Sequence, residues 1–406
     1  MFGLLVVWNV VAFFFFGPPS HAGLGKQGNP SGLLDSESSS DSDRRWPLVP
    51  DVPVTTVAVD IPLLNDTMAP PSKVEFNFPK FVGQPAKFPI PTAPTCGIRK
   101  AKSAKEVVYI TLDDGPSPSG RLNLLNAMDQ LNNRTGTEAA YVSFIESGYN
   151  FCGQESNAIV NLQCNPAAYD TALQLLVWTI KAGHMIAAHS DSHFYDANAR
   201  LCNYVTMSLV TKVEDKYAEC GKDPWSDMVR GALRIDDALA NEMLWETEAD
   251  RAAHKRAVST LWSYARLPCT NVWRLPGVES ETGLREEALG PERDTRLLTA
   301  DKLFEGKLEC KPDTKPWFVL GWDVEWSLDA EATYDAQMEK CKVAQDIVDQ
   351  FDKKWKPGPS EDHVVLLTHD YFFVDEAKAS IFRDVIAELQ LLGYTIGTLD
   401  QYPLKQ

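Results

Sequence analysis

From residue 104 onward, short apolar runs rich in β-branched residues alternate with longer segments of helical periodicity. Such alternation builds βα units, and few folds other than a parallel sheet or barrel can use it. Seven strands are expected: Val107 to Asp113, Ala139 to Glu146, His184 to Ser190, Asn271 to Leu275, Trp317 to Trp326, His363 to Asp370 and Tyr394 to Leu399. Helices are clearest at Arg121 to Asn132, Ala167 to Ala182, Asp250 to Tyr264, Tyr334 to Trp355 and Asp375 to Leu392. Asn165-Pro166 offers an N-cap and first-turn proline to the second of these, and Gly183 and Gly393 are placed to end the second and the last. The stretch 194–248 exceeds an ordinary connection and carries its own cysteine pair, so it reads as an insertion beside the active face.

The chain before residue 96 has another character. Leu4 to Phe16 is an apolar run followed by Ser20-His21-Ala22, a small-x-small arrangement suited to signal peptidase, so 1–22 reads as a secretory signal although no basic residue precedes it. The run is short for a bilayer and Asn9 interrupts it, so membrane attachment is expected only if this segment stays uncleaved. Fourteen of the 26 prolines fall in residues 1–95, beside the Ser/Asp stretch Asp35 to Asp43. No continuous apolar face can form there, which makes 23–95 a linker lying extended on a folded domain at 96–406. All eight cysteines lie beyond residue 95 and none forms a CxxC pair, so loop-stabilising disulfides in a secreted, extracellular, cell-wall or (in a bacterium) periplasmic protein are expected rather than a zinc cluster. Asn65 and Asn133 head glycosylation sequons. A formal charge of -17, with no basic run longer than Arg44-Arg45, excludes a nucleic-acid partner.

Ionisable residues gather at the C-terminal ends of the apolar strands, where parallel barrels place their chemistry. Val107 to Leu112 runs straight into Asp113-Asp114-Gly115-Pro116. Neighbouring strand residues face opposite ways, so both carboxylates reach one site only if the turn redirects the second. His189 and His193 follow the third strand four residues apart, a spacing that lets both face one ion on a single helical turn. Ser190 stands where the HExxH helix of metalloproteases requires its glutamate, and His184, at the strand's beginning, reads as a packed histidine or one that supports a ligand from behind. Arg274-Leu275-Pro276-Gly277 sets an arginine against a proline turn, and Arg266-Leu267-Pro268 lies just upstream. Trp322-Asp323-Val324-Glu325-Trp326 and Leu367-Thr368-His369 end two further runs.

With these residues in this order, the sequence over roughly 104–402 resembles the polysaccharide deacetylase family, the chitin deacetylase-like carbohydrate esterases. The matching segments are Thr111 to Pro116, His189 to His193, Arg274 to Pro276, Asp323 to Trp326 and Leu367 to His369. The resemblance implies an α/β fold, a distorted (β/α)7-type barrel. It makes Asp114, His189 and His193 the ligands of a divalent metal, expected to be Zn2+ with Co2+ or another divalent ion as the alternative. It makes Asp113 the general base and His369 the general acid. Arg274 is favoured over Arg266 as the arginine of the third motif, with Asp323 or Glu325 holding it. Gly277 offers a backbone donor after Pro276, and Trp326 and Leu367 are expected against the substrate. Leu112 stands where the family has phenylalanine, Gly277 where it has an aromatic residue, and Glu325 where it has aspartate.

Amide hydrolysis needs a strong nucleophile, a stabilised oxyanion and a proton for the departing amine. A His-His-Asp metal site with open positions supplies the first two, and a base and an acid held in different environments supply the proton traffic. The expected reaction removes N-acetyl groups from an N-acetylated glycan, chitin or chitin oligomers first and peptidoglycan or another bacterial N-acetylglucosamine polymer second. The competing readings are an O-acetyl esterase acting on acetylated xylan and a carbohydrate-binding barrel without turnover.

Overall fold

The structure, a computed structural model, describes residues 86–404 apart from 153–165, 195–201, 208–216, 218–219, 283–289, 307, 309–310, 312, 314, 330 and 354–355. The signal segment expected at 1–22, most of the 23–95 linker, Asn65, Asn165, Cys164, Cys310 and the end of the helix expected at Trp355 lie outside the described residues. The strands are β1 (Val107–Gly115), β2 (Ser143–Glu146), β3 (Met185–Ala188), β4 (Tyr264–Ala265), β5 (Val272–Leu275), β6 (Val278–Thr282), β7 (Phe318–Val319), β8 (Val324–Glu325), β9 (His363–His369) and β10 (Thr395–Gly397). The helices are α1 (Pro118–Asn132), α2 (Tyr169–Lys181), α3 (Pro224–Leu239), α4 (Glu248–Leu261), α5 (Pro291–Glu305), α6 (Ala336–Phe351) and α7 (Glu376–Leu391).

Parallel pairing runs in the order β7, β4, β3, β2, β1, β9, β8. The two ends of that series belong to one stretch of chain, residues 318–325, which pairs with β4 at its start and β9 at its finish. The chain itself therefore closes the ring, giving the distorted α/β barrel. Strand β10 extends the sheet beside the first residues of β1, and β5 hangs antiparallel on β7 with β6 as its hairpin partner.

The period of two along each strand decides what reaches the mouth of the barrel. Val108, Ile110 and Leu112 point outward to pack under α1, α6 and α7. Tyr109 points inward to a second cluster with Ile145, Met185, Ala187, Tyr264, Leu320 and Val365. Each fully buried aliphatic side chain contributes about 1.5–3 kcal/mol, so neither face can slip by one residue without reversing many such terms. Continued upward, the inward phase reads Thr111 and Asp113 on β1, Ala187 and then His189 after β3, Arg266 after Tyr264 on β4, and Leu367 and His369 on β9.

Several expectations need correcting. The run Asn271 to Leu275 is the antiparallel hairpin strand, and the barrel strand in that region is the two-residue β4. Trp317 to Trp326 is not one strand, because the chain leaves β7 at Leu320 and resumes pairing only at Val324. Pro166 does not open α2 directly: Pro166–Ala168 form a 3-10 turn, and Ala168 caps the helix without a side-chain bond. Helices α3 and α5 add to the five helices expected from the sequence. Asp223 accepts a bond from Ser226 N and Pro224 begins the helix, so α3 carries a cap-and-proline signal in its sequence. Its Met228, Val229, Ala232, Ile235 and Leu239 join the core cluster that contains Ile186 and Ala188 of β3. That makes α3 a barrel helix within the 194–248 stretch. Gly183 and Gly393, in the left-handed region at φ 88° and 87°, end α2 and α7.

Among the described residues two disulfides are defined, Cys96–Cys341 and Cys202–Cys269. Cys152 and Cys220 are also disulfide-bonded. Cys202 thus pairs outside the 194–248 stretch. The first disulfide ties the N-terminal segment to α6, and the backbone N–H groups of Thr95 and Cys96 donate to Glu388 Oε1 at 2.8 and 2.9 Å. Among the described residues no helix is long and apolar enough to cross a membrane.

Candidate functional site

Asp113 follows the inward phase of β1, and Asp114 would point away if the strand continued. It does not: the register against β2 slips between Asp113 and Gly115, and Asp114 sits in the left-handed region at φ 66°. The bulge turns both carboxylates to the same mouth. Asn150 Nδ2 donates to the carbonyls of Asp114 and Gly115 at 3.2 and 2.7 Å, and the Tyr149 hydroxyl to that of Asp114 at 3.3 Å. Neither Tyr149 nor Asn150 stands out in the sequence.

Asp114 Oδ1 lies 3.2 Å from His189 Nε2 and 3.1 Å from His193 Nε2. The three ligand atoms fall within 4.8 Å of one another. The two histidines converge from a loop and not from a helical turn, with His193 at φ 56°. Helix α3 braces that loop: Asp227 Oδ2 accepts from the backbone N–H of Asp191 and Ser192 at 3.1 and 3.0 Å, and Arg234 Nε meets Asp191 Oδ1 at 2.5 Å. His184 is packed instead, accepting from Val142 N at 3.2 Å, and burial pushes its imidazole down to about 3.

The chemistry of this triad suits a divalent cation. His189 Nδ1 lies 2.8 Å from the Arg266 carbonyl, so that nitrogen carries the hydrogen and Nε2 presents its lone pair toward Asp114. Asp114 Oδ1 is buried and, among the described residues, has no hydrogen-bond partner. Burial alone would raise the Asp114 carboxyl, but the two imidazoles outweigh it and hold the group well below the usual carboxylate range. The reverse pull raises His189 despite its own burial. One carboxylate and two imidazoles drawing in positive charge at one point form a donor set that fits Zn2+ or a similar ion.

Around the triad stand the other polar strand ends. His369 Nε2 lies 3.7 Å from Asp114 Oδ2, and its strand neighbour across the β1–β9 ladder is Asp113. Arg266 Nη1 reaches Asp113 Oδ1 at 2.9 Å and Thr111 Oγ1 at 2.6 Å, while Nε and Nη2 donate to the carbonyls of Leu320 and Gly321. The arginine beside Asp113 is thus Arg266 and not the favoured Arg274. Trp273 and Leu275 of β5 take the interior, so Arg274 turns the other way, to Asp301 at 2.7 Å, the Val278 carbonyl and the Phe304 ring. Pro276 and Gly277 form the β5–β6 turn.

Among the described residues, neither acid of the fourth segment holds an arginine. Asp323 is buried and accepts from the backbone N–H of Gly358 and Val365 at 2.7 and 2.9 Å, and Glu325 is exposed. Trp326 is buried, donates to Glu339 and packs on Phe373 and Phe382; Leu367 is buried as well. Neither offers a surface to a sugar. Among the described residues, an exposed aromatic beside the site is Tyr371, whose ring centroid is 5.0 Å from that of His369.

Beneath the site, fully buried Arg121 bridges Glu146, through both carboxylate oxygens at 2.8 and 3.1 Å, and Asp370 at 3.1 Å. One cation faces two carboxylates, and burial pushes Asp370 up to about 7 against the pull of Arg121. A folded-state value above the unfolded one means that the stability it contributes is fully present below about pH 4 and is lost as the pH rises through about 7. The wild type is expected to melt at a lower temperature as the pH rises from 5 to 8, and Asp370→Asn to flatten that fall. A variant whose melting temperature falls as steeply as the wild type's would remove Asp370 from the account. Gly115 passes so close that a methyl group there would land on the Arg121 guanidinium and the Asp370 carboxylate.

No known family model matches the sequence, and no curated protein matches it. Solved structures similar to this chain include the catalytic domain of a peptidoglycan N-acetylglucosamine deacetylase from Eubacterium rectale, at 15% identity and a TM-score of 0.36, covering 76% of this chain and 96% of that one. A chitin deacetylase from Colletotrichum lindemuthianum is similar at 14% identity and a TM-score of 0.36, covering 75% and 89%. A family 4 carbohydrate esterase from Bacillus anthracis follows at 14% and 0.34, covering 75% and 84%.

Proposed function

We propose that this protein is a metal-dependent hydrolase, and more narrowly a secreted deacetylase that releases acetate from N-acetylglucosamine polymers, chitin or its oligomers first. The observation that carries the reading is the convergence of Asp114, His189 and His193 on one point, with Asp113 and His369 on flanking strand ends. Disulfide-bonded cysteines support an oxidising compartment.

A divalent ion held by the triad supplies Lewis acidity toward the acetyl carbonyl and toward water. Asp113, fixed by Arg266, takes the proton that water loses as its oxygen bonds to the carbonyl carbon. His369 delivers a proton to the amide nitrogen as the C–N bond breaks, so the sugar leaves as an amine and the acyl group as acetate. Tyr371, 37% exposed beside His369, takes the sugar-stacking part expected of Trp326. Tyr371→Ala is expected to raise KM for chitin oligomers by about tenfold, roughly the worth of one ring contact, and to leave kcat near the wild-type value. An unchanged KM would remove Tyr371 from the substrate surface.

The test of the whole reading is acetate release from chitin oligomers, peptidoglycan and acetylated xylan, with metal content measured on the same sample. Release from chitin oligomers, abolished by a chelator and restored by zinc, is expected. Release from acetylated xylan alone would make the protein an O-acetyl esterase, and glycan binding without acetate from any substrate would make it a binding module.

A further inference from the structure

Three polar side chains of the site depend on one short turn, Arg266 to Cys269. Its Arg266 guanidinium holds Asp113, and its Arg266 carbonyl holds His189 through Nδ1. Its last residue, Cys269, is joined to Cys202, whose sulfur lies 3.5 Å from Nδ1 of His193. A metal-binding histidine ordinarily gives its second ring nitrogen to a carboxylate, a carbonyl or water. For His193 the neighbour there is the disulfide.

The surrounding backbone points the same way. Cys202 N donates to the His193 carbonyl at 3.0 Å and Asn203 N to that of Phe194 at 2.9 Å. The Tyr204 hydroxyl donates to the Pro268 carbonyl at 2.7 Å, and the Phe194 and Tyr204 rings meet edge to face with centroids 4.4 Å apart. His193, Phe194, Cys202 and Cys269 all adopt positive φ, from 51° to 61°. Left-handed backbone at four non-glycine residues persists only where neighbours over-determine it. Here the neighbours are one another, cross-linked by the disulfide.

We propose that the Cys202–Cys269 disulfide is a positioning device for the cation site: it holds His193 against Asp114 and His189, and opening it weakens metal binding before it unfolds the barrel. The proposal rests on the reading that these three residues hold a cation. Cys96–Cys341, between the N-terminal segment and α6, is the internal control.

The experiment compares zinc affinity by chelator competition, the visible absorption of the Co2+ form and the melting temperature of metal-free protein in wild type, C202S/C269S and C96S/C341S. C202S/C269S is expected to bind zinc 10–100-fold more weakly and to show an altered Co2+ spectrum. C96S/C341S is expected to melt earlier yet bind zinc as the wild type does. Should C202S/C269S fail to fold, folded zinc-loaded wild type is treated with a dithiol reductant, which gives two electrons and two protons to the disulfide and becomes a disulfide itself. Freed thiols are alkylated and located by mass spectrometry, and zinc release from the fraction modified at Cys202 and Cys269 is expected while the far-ultraviolet spectrum persists. Unchanged zinc affinity in folded C202S/C269S, zinc retained by protein alkylated at both residues, or an equal loss of affinity in C96S/C341S would overturn the inference and leave the proposed function standing. A wild type that binds no zinc would end both.

Discussion

Asp114→Asn is expected to lose zinc affinity by at least about 100-fold and to release no acetate, whereas Asp113→Asn keeps its zinc and loses turnover. The two residues are neighbours and chemically identical, so only their surroundings separate them. Asp114 is the one anionic member of the triad, and its buried Oδ1 faces two imidazole nitrogens. An amide in its place offers a neutral oxygen, and two imidazoles alone are a poor match for a divalent ion. Asp113 makes none of those contacts and is bound to Arg266, so its amide variant leaves the triad intact and removes only the proton acceptor. General-base catalysis contributes about 10²- to 10⁴-fold, and that is the loss expected in kcat. Metal content and acetate release measured on the same two samples check the split. If both variants kept full activity, neither carboxylate would have the role given to it.

Arg266→Ala should be the most damaging single change at the site, in stability as well as in activity. The guanidinium is fully buried and makes bonds to Thr111, Asp113 and two carbonyls. Removing it strands a buried carboxylate and two buried carbonyl oxygens, a loss on the order of 3–5 kcal/mol. Lysine is a poor substitute, since a single ammonium cannot reproduce the planar fork that serves all four acceptors. Arg274→Ala is the matched control: its ion pair with Asp301 is partly exposed, so less than about 1 kcal/mol and no change in acetate release are expected. Denaturant unfolding of both variants decides the matter, and an Arg274 variant that is worse than the Arg266 one would reverse the assignment.

The difference between these arginines shows what was legible in the chain and what was not. The long apolar runs of β1 and β9 announced themselves, and with them Asp113 and His369, because strand alternation extends an inward phase to the strand's end. Asp114 and the histidine pair were legible as residue types but not in their geometry: a bulge and a loop bring them together where a strand and a helical turn would not. Arg266 was obscured because its strand, Tyr264–Ala265, is too short to leave a pattern, while Val272–Leu275 nearby looks more like a barrel strand and is a hairpin. Trp326 was misplaced for another reason. A tryptophan beside acids reads as a sugar platform, yet its hydrogen bond to Glu339 and the Phe373 and Phe382 rings enclose it. Arg121, Glu146 and Asp370 lie far apart in sequence, and only the barrel makes them neighbours.

Every non-glycine residue found at positive φ among the described residues belongs to one neighbourhood: Asp114, His193, Phe194, Cys202 and Cys269. Each costs about 1–2 kcal/mol relative to a relaxed backbone, Asp114 the least because short polar side chains tolerate that region. The most accessible gains in heat resistance therefore sit where the chemistry is. Laboratory evolution that rewards only survival at high temperature would relax these positions early and yield sturdy, inert barrels, so selection for an industrial variant has to score turnover in every round.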